Sequence, residues 1–219
     1  MADIIVAGNT SGAITISAPL VAGSGVLTLP TGTDTLVGKA TTDTLTNKTL
    51  TAPAISSAVM TTMASSVITS GTAVATTSGT SVDFTSIPSW VKRITVMFNG
   101  VSLSGTANPY IQLGDSGGIE TSGYISGSFS SALGTTGFSG AFAIYSATAA
   151  YLISGTMTIS LLDSASNLWV ATGTFGSGSG IAWFLGGAKS TSATLDRVRI
   201  TTSNGTDTFD AGSVNILYE

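Results

Sequence analysis

Between Thr33 and Ile55 the chain reads TDTLVGKATTDTLTNKTLTAPAI, a segment with one large apolar residue per step. Thr33-Asp34-Thr35-Leu36 is echoed nine residues later by Thr42-Asp43-Thr44-Leu45. The apolar residues then fall into a spacing of five, at Leu45, Leu50, Ile55 and Met60. Neither spacing fits a helix of period 3.6 or a strand of period 2. The intervening Thr, Asp and Asn side chains compete with helical hydrogen bonds and favour extended or turning backbone. Pro53 lacks an N–H and biases Ala52 towards extended geometry. A thin, winding segment is therefore expected.

A single copy of such a segment is short of stabilisation. Ordering the backbone costs roughly 1–2 kcal/mol per residue. Burying one Leu returns about 1.5–3 kcal/mol. Copies wound about a common axis would bury each step against one another, and a closed trimer is the expected form. Leu36, Leu45, Leu50, Ile55 and Met60 are its expected contact residues. The alternative is a flexible Thr-rich linker.

The wording GVLTLPTGTDTLVGKA followed by TDTLTNKTLTAPAI, about Gly25 to Ile55, resembles a segment of many structural proteins of tailed bacteriophages. Tail fibres, head fibres, spikes and decoration proteins carry it. The resemblance implies a virion component, without placing it on tail or capsid. Farther on, SIPSWVKRITVMFNGVSLSG, LGDSGGIETSGYISGS and NGTDTFDAGSVNILYE resemble C-terminal domains of uncharacterised phage structural proteins. That second likeness covers most of residues 80–219 and brings no activity with it.

Charged residues make up only 8% of the chain and Gly numbers 27. Mean hydropathy is +0.45. Low charge with high hydropathy argues against disorder and suits a β-rich protein with much of its surface covered by partners. Net charge is −4, and seven Lys and Arg scattered along 219 residues form no basic patch, so nucleic acid is not an expected partner. Without Cys or His there are no disulfides, thiolate sites or imidazole bases. MADIIVAG lacks the features of a secretory signal, and no apolar run approaches the ~20 residues of a membrane span. The expected place is the virion, after synthesis in a host cytoplasm, with no membrane insertion and no cofactor or metal.

Short strands are expected in the first 32 residues, at Ile4-Ile5-Val6, Ala13 to Ser17 and Val26 to Leu29. Residues 56–70 allow either a short helix, with Val59, Met60, Met63 and Val67 on one face, or a continued extended stalk. From about Thr72 the pattern becomes strands separated by Gly-rich turns. Candidates are 73–77, 81–84, 93–99, 110–113, 123–130, 141–145, 152–162, 168–175, 181–186, 193–202 and 213–218. In Arg93-Ile94-Thr95-Val96-Met97-Phe98 the apolar residues share one face. Eight to eleven such strands imply an all-β fold, an antiparallel β-sandwich of jelly-roll type. The organisation read from sequence is an anchoring arm at 1–32, an intertwined stalk at 33–70 and a display domain at 71–219.

Catalytic constellations were sought. Gly114-Asp115-Ser116-Gly117-Gly118 spells the GDSGG of chymotrypsin-like proteases, yet that serine needs an imidazole and the chain has no His. No Lys sits in a context suited to serine–lysine chemistry. Asp115 with Glu120, and Asp207 with Asp210, are the acid pairs a glycan hydrolase would need. Carboxylates at turns more often bind backbone N–H groups, and neither loop follows a calcium-loop pattern. No catalytic residue is assigned. Trp90, Tyr110, Tyr145, Trp169 and Trp183 are aromatic candidates, with core packing expected for Trp169 and Trp183. Tyr124 and Phe138 flank the Gly/Ser-rich stretch Gly123–Gly140, expected as an exposed loop that could touch a host surface glycan.

The sequence reading is thus a non-enzymatic structural protein of a tailed-phage particle: a homotrimeric fibre or spike that also contacts other virion proteins of capsid or tail. The alternative is a capsid decoration protein whose arms fasten capsid subunits. A polysaccharide-cleaving tailspike is the distant third.

Overall fold

The computed structural model describes residues 4–7, 11, 13–16, 49, 68–149 and 151–219. Two compact units divide the chain, Met1–Val59 and Met60–Glu219. In the first, β1 (Ile4–Ala7) pairs antiparallel with β2 (Ala13–Ile16), Ile4 opposite Ile16 and Ala7 opposite Ala13. Leu36, Leu45, Leu50, Ile55 and Met60 lie outside the described residues. So does most of the segment read as either helix or stalk; its end, Thr69–Ser70, is a strand.

The second unit is all-β. Its strands are β3 (Thr69–Ser70), β4 (Val74–Ala75), β5 (Ser81–Phe84), β6 (Arg93–Leu103), β7 (Pro109–Asp115), β8 (Gly118–Ile119) and β9 (Ile125–Ser130). They continue with β10 (Gly134–Phe138), β11 (Phe142–Ala143), β12 (Ile153–Asp163), β13 (Leu168–Ser177), β14 (Ala182–Ser190), β15 (Arg197–Thr202) and β16 (Phe209–Tyr218). One sheet has the order β10-β9-β14-β13-β12-β6-β16-β3, with β4 also on β16; the other is β11-β7-β15-β5, with β8 on β7. Every pairing is antiparallel.

Three pairings nest around the β12–β13 hairpin: β9 with β14, β7 with β15, and β6 with β16 outermost. A long hairpin rolled over on itself gives that nesting, which is the jelly-roll relation. The sheets share it unequally, because β7 and β15 leave the large sheet to form the centre of the small one.

Alternation builds the core. Ile94, Val96 and Phe98 from β6 meet Met157 and Ile159 from β12, Trp169 and Phe175 from β13, and Trp183 and Leu185 from β14. From the small sheet come Ile111, Leu113, Val198 and Ile200, all fully buried. Phe98 and Phe175 touch edge to face at 5.3 Å between ring centres, the arrangement their quadrupoles favour. Trp183 is completely buried, and its indole N–H donates to the Tyr145 carbonyl at 2.8 Å.

Two glycines let strands come close. Gly155, at φ 149°, sits at the β12–β6 bulge, where a Cβ would run into the Thr174 carbonyl of β13. Gly187 faces the β9 backbone, and a Cβ there would collide with the Ile125 carbonyl.

Trp183→Ala should cost about 3–5 kcal/mol in urea unfolding, since it empties a fully buried volume and orphans a carbonyl. Phe184→Ala, one residue along on the opposite face, should cost well under 1 kcal/mol in the same measurement.

Candidate functional site

Asp115 ends β7 at the start of the GDSGG turn and is 2% exposed. Its carboxylate accepts from the Gly117 N–H at 2.8 Å, closing the turn upon itself. It also accepts from the Ser192 hydroxyl at 2.6 Å and the Ala193 N–H at 2.7 Å. The motif therefore pins the β7–β8 hairpin to the β14–β15 connection. Ser116 is exposed at the tip. The Ser192 hydroxyl, followed by the Gly117 N–H, holds the Asp115 carboxyl below the usual carboxylate range.

Glu120 follows on the same side. It forms an ion pair with Lys189 and accepts from the Ser192 N–H at 2.5 Å. The Lys189 side chain is only 7% exposed, and its ammonium stands 5.3 Å from the centre of the Tyr124 ring, a cation–π contact. Beneath it the Tyr124 hydroxyl accepts from the Leu113 N–H at 2.7 Å and donates to the Glu120 carbonyl at 3.1 Å. Burial, reinforced by the Glu120 charge, pushes that hydroxyl well above the ordinary phenol range.

The second acid pair is likewise occupied. Asp207 accepts from the Ala107 N–H at 2.8 Å, tying the β15–β16 loop to the β6–β7 loop. The Asn204 side chain, then the Ala107 N–H, lowers its pKa. Asp210 accepts from the Ser102 hydroxyl. Asp163 caps the β12–β13 turn, accepting from Ala165 N–H at 3.0 Å and Ser166 hydroxyl at 2.6 Å. Both acid pairs are thus engaged in fastening loops.

The expectation for Tyr124 and Phe138 needs correction. Gly123–Gly140 is not an exposed loop; most of it is the β9–β10 hairpin. Tyr124 is 3% exposed, packed edge-on against Phe142 at 5.1 Å. Phe138 is half-buried between Tyr110 and Tyr145, at 5.9 Å and 6.2 Å. The candidate strand 123–130 is present as β9, and the Gly- and Thr-rich residues after it form a second strand, β10, that was not foreseen. Trp169 and Trp183 lie in the core. Trp90 is 52% exposed and leans on Tyr218 at 6.0 Å.

A different surface carries exposed aromatics. On β9 the alternation is reversed: Ser126, Ser128 and Ser130 are buried, while Ile125 and Phe129 are 79% and 40% exposed. Phe129 stands directly across from Phe184 of β14, itself 53% exposed, with ring centres 6.1 Å apart and planes 31° apart. Beside them runs a glycine row in register, Gly137, Gly127 and Gly186, continued by Thr172 of β13. The result is a shallow open groove of about 550 Å³. Sequence reasoning did not single out Phe129 or Phe184, although Ile125-Ser126-Gly127-Ser128-Phe129-Ser130 does alternate in the sequence.

Comparison with family models, curated proteins and solved structures finds no significant match for this chain.

Two outcomes follow for the acid cluster. Glu120→Ala should destabilise by about 3 kcal/mol because it strands a buried ammonium, whereas Lys189→Met should cost about 1 kcal/mol or less, since Glu120 keeps its contact with Ser192 N–H and solvent. Urea midpoints separate the two. As Asp115 is held below its ordinary value of 3.8, the unfolded chain binds more protons in acid, so its contribution is present at neutral pH and lost as pH falls below the carboxylate range. The stability gap between the native chain and Asp115→Asn should therefore narrow from about pH 6 to about pH 3.

Proposed function

We propose that the protein is a non-enzymatic structural component of a tailed-phage virion: a homotrimeric fibre or spike, anchored through its N-terminal arm and displaying the C-terminal β-sandwich. The observation that carries this reading is the segment TDTLTNKTLTAPAI, with its five-residue apolar spacing and its resemblance to phage structural proteins. One copy of that segment buries too little to offset its own ordering. Wound copies remove the deficit.

The sandwich agrees with a display role. Asp115 and Glu120, the first acids a sugar-cleaving spike would call upon, are tied to Gly117, Ser192, Ala193 and Lys189. Asp207 and Asp210 are tied to Ala107 and Ser102. Each of these carboxylates, the exposed Asp210 included, is already an acceptor within the protein, which favours a fastening role over proton transfer.

A capsid decoration protein is the second reading, favoured by the same resemblance, because decoration proteins carry the segment too. Copy number on purified virions divides the two. A fibre is expected in a few to a few dozen copies, and a decoration protein in hundreds.

Sedimentation equilibrium tests the trimer directly, with an expected mass of three times the 21.8 kDa of one chain. The double variant Leu45→Asp, Leu50→Asp should sediment as a monomer while its far-UV β signal persists. A monomeric parent chain would overturn the reading, as would depolymerisation of a host polysaccharide by the purified protein.

A further inference from the structure

Among the outward-facing residues of β9, β10, β13, β14 and of β12 as far as Leu162, none is charged. They are Gly, Ala, Ser, Thr and apolar side chains; Lys189 of β14 points inward, and Asp163, exposed at the very end of β12, caps the β12–β13 turn. Crossing the large sheet from β10, the first charges met are Asp163 at the end of β12 and then Arg93 of β6. A sheet face meant for water is normally polar and charged. Here Phe129, Phe184 and Ile125 occupy it, while β9 buries serines, one of which, Ser126, has a hydroxyl without a partner among the described residues.

The glycines sharpen the point. A Cβ on Gly127 would meet nothing within 4 Å, and on Gly137 only the Ser126 carbonyl at 3.7 Å, an ordinary contact. Neither glycine has the positive φ that would exclude a side chain. Among the described residues, then, nothing requires glycine at either position, and glycine inside a strand is unfavourable. Strand glycines of that kind mark places where another backbone or a ligand comes close.

We propose that this face of β10-β9-β14-β13 docks against a second copy of the same chain, with Phe129 and Phe184 as its apolar ridge and Gly137-Gly127-Gly186 as the trough that admits the neighbour. In a closed trimer the contact is heterologous, so this face meets a different surface of the neighbouring copy; carrying no charge, it takes a neutral patch without charge burial or like-charge repulsion, whereas a charged partner would find no complement. A sugar is served less well: the groove offers threonine hydroxyls beside the rings, but no carboxylate or amide to fix its orientation. Size fits the same occupant. Four strands about 4.8 Å apart and six residues long present a rectangle of about 19 by 20 Å, roughly 380 Å². A free-standing complex covers about 800 Å² per partner. The face is too small to recruit a partner from dilute solution, but adequate for copies already held at millimolar effective concentration by a common stalk. The inference therefore rests on the trimer reading above.

The absence of cysteine from the chain allows a clean reporter in the full-length protein. Thr172→Cys places a thiol in the groove, and Thr106→Cys, exposed in the β6–β7 loop, serves as reference. In the sedimenting trimer the groove thiol should react with a maleimide at least about tenfold more slowly than the reference. Adding Gly127→Thr, which has open space among the described residues, should restore fast labelling while the far-UV β signal persists; Phe184→Asp should do the same. If the chain is trimeric and both thiols react alike, the docking inference fails and the trimer stands. If the chain is monomeric, both fail, and slow labelling in that monomer would mean that the chain covers the face itself. Protection that survives Gly127→Thr and Phe184→Asp also overturns the proposal.

Discussion

A β-strand points successive side chains to opposite faces, so a two-layer sandwich can bury only every second residue of its large sheet. That parity rule decides nearly everything about this domain. Where sequence and parity agree, as in Ile94-Thr95-Val96-Met97-Phe98, the apolar set closes the core and the polar set faces out. Where they disagree, in β9, the strand still holds its register between β10 and β14, and pays by burying serines and exposing Ile125 and Phe129. A one-residue slip would correct the faces of β9, but it would break the close passage of its backbone over Gly187 and misalign both neighbours. The inverted face is thus fixed by the rest of the sheet.

The scarce charges serve the same architecture. Asp115, Asp163 and Asp207 each accept hydrogen bonds that close or join turns at the ends of strands. Arg199 and Asp83 clasp β15 to β5 with a paired contact at 2.7 Å, and Lys189 is folded in over Tyr124. A typical domain spreads charge over its surface to stay apart from its neighbours. Here most of the described acids are engaged in internal fastening, and the outward face of β10, β9, β14 and β13 is left neutral. Low overall charge is consequently not evenly diluted; it is concentrated where loops must be held and withdrawn from one broad surface.

How far the sequence disclosed this follows from the same rule. Alternation located most of the long strands, and an apolar-in, polar-out reading put Trp169 and Trp183 in the core, where they lie. Carboxylates at turns were expected to bind backbone, and Asp115 and Asp207 do so. Alternation cannot say which half of a strand faces in, and β9 offers Ser, Gly, Ile and Phe in an order that reads outward only once β14 and β10 are placed beside it. β9 lies within the candidate strand 123–130, but β10 was not foreseen, and Gly123–Gly140 was also read as a possible exposed loop because Gly and Ser have low strand propensity; strand pairing here is imposed by long neighbours. Tyr124 and Phe138 were singled out on that mistaken premise, and the aromatic pair that does reach the surface was passed over. Local composition misled where tertiary pairing ruled.

Neutral, glycine-grooved faces carry a hazard as well as a use. An apolar sheet face beside a free edge such as β10 is a template for unwanted association if it is left open. Natural sheets guard against this with lysines, prolines or inward charges, and β9, β10 and the outward side of β14 have none. A weak face tolerated without such guards makes physical sense when its partner is always at hand. The trimer proposed above would meet that condition: within one assembly the face would be covered by a neighbouring copy, and between assemblies its area is too small to hold. In that proposal the threonine-rich segment and the inside-out strand solve one problem from two ends. The first would supply proximity without much contact, and the second would supply contact that needs proximity.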